Sequence, residues 1–382
     1  MKIIGVTGTN GKTSTTQFLY DMLSGIGRKT AICGTLGLRY DGEYFDIELT
    51  TPAKGILEYH MDRMRRKNVE YLIMEVSSHA LVQNRVDGIN FDVGVFTNLT
   101  QDHLDYHGTF ENYKNAKRKI LDISDAMVMN VDDETGEEFF REFTGKGRKC
   151  LNISTKCTCT DISAASIESS LYGTDFLLDL LGTQTHVKIP IPGEFTAYNV
   201  MSAMGAMSLL GFAFDEIISS VESITPVKGR AQILNLDADF NVMIDFAHTP
   251  DALMNILSTV RAFFDGRLVT LFGCGGDRDK TKRPIMGEIV AGYSDYIYVT
   301  SDNPRTEDPM KIITDILPPI CESGKPYKVI ENREEAITYA VQSALPGDLL
   351  ILAGKGHEAY QIIGSKKLPF DEEKIVRKAL QF

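Results

Sequence analysis

The sequence predicts an α/β protein of two domains, each built on a mainly parallel sheet. Two observations carry this. Short apolar strands alternate with amphipathic helical segments along the chain, the pattern of a sheet covered on both faces. In addition, the residues able to do chemistry fall just after the apolar part of a strand, where open α/β sheets bind ligands.

In chain order, "KIIGVTG" is a first strand running into a glycine-rich loop, and 13–24 is the helix after it. A helix over 55–67, the strands "YLIMEV" and "DVGVFTN", a helix over 109–122 and the strand "AMVMNV" follow. The stretch 150–190 is less regular and rich in Ser and Thr, which suits an antiparallel edge. "GEFTAYNVMSAMGAMSLLG" reads as a long helix ended by Gly211. Pro226, Gly229 and a basic pair in "TPVKGRAQIL" break the pattern and place the boundary, giving domains 1–226 and 227–382. A second series, "NVMIDF", "RLVTLFGC", "DYIYVTS" and "DLLILAG", makes the second domain Rossmann-like, with a cleft between domains as the natural site.

Composition narrows the function. A chain of 382 residues with 43% hydrophobic and 24% charged residues has the makeup of an ordinary globular protein. Its net charge of -12 argues against a nucleic-acid partner, which usually wants a basic surface. No apolar run reaches the ~18 residues of a membrane span, and the opening "MKIIGVTG" is no secretory leader. The six scattered cysteines read as reduced thiols of a cytoplasmic protein, Cys157-x-Cys159 included.

The first loop, "GVTGTNGKTST", departs from the G-x-x-x-x-G-K-[ST] spacing because Val6 stands where the first glycine belongs. Glycines at 5, 8 and 11 still let backbone N–H groups turn inward around phosphates, with a helix start behind them. Lys12 reaches terminal phosphates in such loops, and the Thr13 hydroxyl ligates magnesium. This makes the first domain a P-loop-type nucleotide-binding domain. Glu75 closes the apolar run "YLIM", and a buried charge there needs a partner: a metal shared with Thr13, or an ordinary ion pair. "SSHALVQNRV" then offers hydroxyls, Gln83 and Arg85 to an anionic substrate.

In "NLTQDHLDYHGTFENYKNAKRKIL", His103 and His107 lack the H-E-x-x-H frame of a zinc site. The helix after them carries an apolar stripe through Phe110, Tyr113, Ile120 and Leu121, and Lys117 falls on it. Either its stem snorkels to solvent, or a buried amine has work to do. In the second half "GCGGDRDKTKRP" gathers Arg278, Lys280, Lys282 and Arg283 in a cationic loop, and "DFAHTPDAL" puts His248 at a helix entry. "SDNPRTEDP" sets Asp302, Asn303 and Arg305 in a rigid turn, where an arginine holds a carboxylate by paired hydrogen bonds.

Together these motifs resemble the Mur ligase superfamily, most closely its MurE branch, over nearly the whole chain. "TGTNGKT", "TTP", "EVSSHALVQNRV", "DNPR" and "GKGHE" carry the resemblance. It implies a central ATP-binding domain and a C-terminal domain binding the incoming amino acid. It implies that Gly8, Thr9, Asn10, Gly11, Lys12, Thr13 and Ser14 serve ATP, with Asn199 and His248 near the adenine. Thr13, Glu75, His103 and a carbamylated Lys117 are then the Mg²⁺ ligands, and Lys12, Glu75, His103 and Lys117 the catalytic set. Thr50, Thr51, Ser77, Gln83 and Arg85 match the muramoyl-dipeptide acceptor site. Arg278, Asp302, Asn303, Pro304, Arg305, Gly354 and Glu358 match the site of the incoming amino acid.

The implied reaction passes through an acyl phosphate on the acceptor carboxylate, which the amine of the amino acid displaces. "DNPR" favours meso-diaminopimelate over lysine, whose single carboxylate leaves Arg305 unpaired at a cost of about 3–5 kcal/mol if fully desolvated. MurE enzymes carry a UDP-binding domain before the phosphate loop, and this chain has only "MKII" there. Either the sequence is a fragment or the enzyme is naturally short, and the second is the expectation. The function expected first is a MurE-type ligase joining meso-diaminopimelate to the D-glutamate carboxylate of a muramoyl-dipeptide-like acceptor. The alternatives are a smaller, non-nucleotide acceptor in specialised metabolism or a module borrowed from a partner. A silent nucleotide-binding subunit is the non-enzymatic alternative, and the retained Lys12, Thr13, Glu75, His103 and Lys117 speak against it.

Overall fold

The computed structural model describes residues 1–381. The chain divides into two compact units, Met1–Thr225 and Pro226–Phe382. The first unit holds strands β1 (Lys2–Thr7), β2 (Thr30–Gly34), β3 (Gly37–Tyr40), β4 (Glu43–Phe45), β5 (Tyr71–Glu75) and β6 (Phe91–Phe96). Strands β7 (Ser124–Asn130), β8 (Cys150–Ser154), β9 (Ile162–Ser170), β10 (Gly173–Leu180) and β11 (Thr183–Ile189) complete it.

All eleven form one sheet, ordered β11-β10-β9-β8-β7-β6-β1-β5-β2-β3-β4. Its centre is parallel, with β1 between β5 and β6. Helices cover both faces there, so the central strands are apolar runs rather than alternating ones. The irregular stretch after residue 150 is the antiparallel β9-β10-β11 edge, and β10 alternates buried and half-buried residues as a one-sided strand does. Strands β2, β3 and β4 were not legible in the pattern. Helix Glu194–Leu209 packs beneath the sheet and is buried nearly all round, so it shows no stripe.

The second unit has a six-stranded sheet, β12-β13-β17-β14-β15-β16, and a separate hairpin β18-β19. These strands are β12 (Gln232–Ile233), β13 (Asn241–Asp245), β14 (Leu268–Phe272), β15 (Tyr296–Val299), β16 (Tyr327–Val329), β17 (Leu349–Ala353), β18 (Tyr360–Ile363) and β19 (Lys366–Pro369). The pairs β13-β17, β17-β14, β14-β15 and β15-β16 are all parallel, so their carboxyl ends share one edge. Val242, Leu271, Leu350 and Leu352 form its core with Ile337 and Val376 from two covering helices. Among the described residues no helix is long and apolar enough to cross a membrane.

Candidate active site

In the first unit the loop after β1 enters helix Lys12–Gly25 through Gly11, whose φ of 84° is left-handed. No side chain caps this helix, and its first turn holds no acid. Its leading N–H groups and dipole therefore suit an anion, which is the fit that a nucleotide phosphate requires. The loop is held from behind. Thr97 Oγ1 donates to Asn10 O at 2.6 Å, Asn10 N donates to Asn98 Oδ1 at 2.9 Å, and Thr9 N donates to Asn98 O at 2.9 Å. A Cβ on Gly8 would meet Thr97 Oγ1 at 1.8 Å, and one on Gly11 would meet Asn199 Oδ1 at 2.5 Å. Glycine is required at both positions. Asn199 thus lies against the phosphate loop, where it also accepts from Thr15 Oγ1 at 3.2 Å. Lys12 Nζ folds back onto Gly8 O and Thr9 O, both at 2.8 Å, and Ser14 is half-buried in the first turn.

Glu75 ends β5 almost fully buried and meets Thr13 directly, with Thr13 Oγ1 donating to Oε2 at 3.1 Å. Thr35, in the turn after β2, also serves this carboxylate, through its N–H at 2.8 Å and its hydroxyl at 3.0 Å. Thr35 went unnoticed because β2 itself did. A hydroxyl and a carboxylate at the mouth of the loop fit a magnesium ion. His103 joins no hydrogen bond of that pair. It begins a short helix with φ 53°, and its Nε2 lies 3.4 Å from Asp102 Oδ2. Desolvation where its neighbours crowd it lowers its pKa to about 4 although 43% of the side chain stays exposed, which favours the neutral imidazole that can ligate. Among the described residues no three His, Cys, Asp or Glu side chains gather as a metal cluster.

Lys117 does not snorkel. It is 1% exposed, and its Nζ donates to Gly8 O at 2.6 Å, beneath the phosphate loop. Burial first, then the Lys12 charge, pushes its pKa well below the usual lysine range. A neutral amine is the form that condenses with CO₂, so the site fits a carbamate. Ring contacts surround this corner: His79 lies edge-on to His103 at 4.9 Å, and Lys117 Nζ sits 4.8 Å from the Tyr113 ring centre.

The acceptor candidates form one network. Thr51 Oγ1 donates to Glu75 O at 2.9 Å and accepts from Ser77 N at 3.0 Å, while Arg85 Nη1 donates to Thr51 O at 2.9 Å. Arg85 Nε also donates to Gln83 Oε1 at 3.0 Å, and the Thr50 and Thr35 hydroxyls lie 3.3 Å apart.

In the second unit Asp302, Asn303 and Pro304 are buried at the end of β15. Asn303 Nδ2 donates to Glu358 Oε2 at 3.0 Å, and Ile362 N donates to Asn303 Oδ1 at 2.9 Å. Arg305 has φ 51° and a pairing with Ile363 of the hairpin, which fixes the turn. Its Nη1 donates to Gly276 O at 2.8 Å. Arg305 is half-buried, not fully desolvated, so leaving it without a carboxylate costs less than the 3–5 kcal/mol of a closed site. Gly354 at the end of β17 has φ 114°, and a Cβ there would come to 3.0 Å from Asp302 Oδ2.

The cationic loop needs correcting. Arg283 is buried and bound to Glu307 and Asp315, so it is structural, while Lys280 is exposed and pairs with Glu307 at 3.2 Å. Arg278 remains exposed. His248 accepts no helix-capping role, which falls to Thr249; its Nδ1 lies 2.8 Å from Phe246 O. Cys157 and Cys159 are joined in a disulfide rather than standing as two thiols.

Residues 6–207 match the family model for the Mur ligase middle domain, and residues 229–356 the one for the Mur ligase glutamate ligase domain. The chain is a Mur ligase. It is 43% identical over 378 residues to UDP-N-acetylmuramoyl-L-alanyl-D-glutamate--2,6-diaminopimelate ligase 1 of Clostridium acetobutylicum, covering 98% of this chain and 77% of that protein. The similarly named ligase of Clostridioides difficile is 41% identical, covering 99% of this chain and 78% of that one. A solved structure of a ligase of that name superposes with a TM-score of 0.72 at 33% identity, covering all of this chain and 78% of its own. The fold extends to Mycobacterium tuberculosis folylpolyglutamate synthase, solved with ADP and AMPPCP, at TM-score 0.72, 18% identity and 92% and 88% coverage. This Mur ligase is an ATP-dependent ligase of the MurE type.

Proposed function

We propose that this Mur ligase joins meso-diaminopimelate to the D-glutamate carboxylate of a muramoyl-dipeptide acceptor, in the cytoplasm. The observation that carries the donor is the group formed by buried Asp302 and Asn303 with half-buried Arg305 and Glu358, which sets acids and a guanidinium side by side. Such a patch suits an amino acid whose far end carries both an ammonium and a carboxylate.

In this reading Thr51, Ser77, Gln83 and Arg85 orient the acceptor, whose carboxylate attacks the γ-phosphate and releases ADP. Lys12 offsets charge gathering on the transferred phosphoryl group. Thr13 and Glu75 would hold one magnesium, and His103 with carbamylated Lys117 a second. When bound, these ions supply positive charge at the phosphoryl oxygens. The amine of diaminopimelate then attacks the activated carbonyl, phosphate leaves, and an amide remains.

The test is phosphate release with diaminopimelate or lysine, against the acceptor with and without its UDP portion. Release that requires both diaminopimelate and the dipeptide acceptor is expected. Equal release with lysine would reject the assigned donor, and strict dependence on UDP would reject a non-nucleotide acceptor.

A further inference from the structure

Lys355 lies at the centre of the second unit's polar cluster, where the proposed reaction asks nothing of it. Its side chain is 0% exposed. Its Nζ is 2.7 Å from Glu358 Oε2, 3.0 Å from Asn303 Oδ1 and 3.5 Å from Asp302 Oδ1. The backbone is shaped to keep it there. Gly354 and Gly356 flank it with φ of 114° and 54°, and a Cβ on Gly356 would come within 2.7 Å of Gly229 O. A buried ammonium bonded to three acceptors from two segments is a built feature, since a lysine left unpaired there would be strongly destabilising.

Asp302 and Glu358 are acids and Lys355 and Arg305 are bases, so these four balance; the neighbouring Arg333 and Glu372 balance each other, and Arg278 is exposed to solvent. Lys355 is closest to Glu358, at 2.7 Å against 3.5 Å for Asp302, so Glu358 is the acid it neutralises most fully. Asp302, held at the longer distance, and Arg305 are then the acid and base left to meet a ligand. A distal group carrying one ammonium and one carboxylate matches that remainder; a distal ammonium alone does not.

We propose that Lys355 is a specificity-determining residue: by neutralising Glu358 and fixing Asn303, it tunes the cluster to an amino acid with a zwitterionic far end. This rests on the assignment of the cluster as the amino-acid site. Without Lys355 the cluster carries a net negative charge, which favours a lone cation and disfavours a carboxylate.

The measurement is the ratio of kcat/KM for meso-diaminopimelate over L-lysine, from ATP-dependent phosphate release with the dipeptide acceptor. Lys355→Met is expected to lower the ratio at least tenfold while KM for ATP stays within twofold. Loss of both amino acids by the same factor would mark Lys355 as merely structural and overturn the proposal. Should Lys355→Met not fold, judged by circular dichroism, Glu358→Gln reverses the imbalance and is expected to raise the ratio; no change or a fall overturns the proposal. A wild-type chain that uses neither amino acid rejects the site assignment itself. An active wild type with an unmoved variant ratio rejects only the role of Lys355.

Discussion

The two candidate sites hold charge by opposite means. The phosphate loop of the first unit offers its ligand backbone: glycines, an uncapped helix start and carbonyls, with Lys12 and the buried Lys117 both resting on Gly8 O. The amino-acid cluster of the second unit is side chains that satisfy one another, with Lys355, Asp302, Asn303 and Glu358 closed into a network. A backbone site waits for its ligand to supply the charge, so its polar groups are cheap to change for the fold and dear for the chemistry. A side-chain cluster is already balanced, so each change unsettles the fold and the specificity together.

The sharpest way to break this contrast is Lys12→Ala. Loss of the cation that meets the transferring phosphoryl group is expected to lower kcat about 10³-fold. The melting temperature should stay within about 2 °C, because Lys12 is half-exposed and its Nζ bonds to the loop carbonyls of Gly8 and Thr9 are ones that water can replace. A large loss of stability would show that Lys12 itself, beyond Thr97 and Asn98 behind the loop, holds it in shape.

Arg333→Met probes the other side. Arg333 Nε donates to Glu372 Oε1 at 2.8 Å, and both side chains are within 1% of full burial. Removing one partner leaves a buried charge and is expected to destabilise by about 3–5 kcal/mol in urea unfolding. The double variant Arg333→Met, Glu372→Leu should recover most of that. Recovery of nothing would mean that packing, and not charge balance, sets this unit's stability.

Lys117→Ala sharpens the comparison within the first unit. Phosphate release is expected to fall about 10²-fold, with partial recovery when a short-chain carboxylic acid is added. Unchanged activity without rescue would remove the carbamate from the proposed mechanism.

What was legible follows the same division. The phosphate loop is one contiguous segment after one strand, so spacing alone exposes it. Lys117 was legible as an anomaly because helical periodicity put an amine among Tyr113, Ile120 and Leu121. By contrast Thr35 follows "TAICG", a five-residue run too short to declare itself a strand. Lys355 hid in "GKGHE", where a lysine between glycines looks exposed until β15 and β17 are known to end together. Arg283 and Lys280 misled for the same reason: their partners Glu307 and Asp315 lie 24 or more residues away in sequence. Local chemistry is written locally; charge balance across strands is not.

The smallest effect tests whether the second unit's balance extends to its imidazoles. Burial, then the charges of Arg230 and His248, lower the His357 pKa to about 3. Its Nδ1 is buried without a partner among the described residues. The sign follows from linkage. Between pH 6.5 and that lower value the unfolded chain binds the proton and the folded chain does not, so stability falls as pH falls. Asp245 and Glu372, buried with raised pKa values, shift the opposite way and blunt the overall trend. The comparison must therefore be differential. From pH 7 to pH 5 the wild type should lose about 1–2 kcal/mol more than His357→Gln in urea unfolding. Equal losses would mean that His357 is protonated in the folded state, and that this corner carries a cation its neighbours have already accommodated.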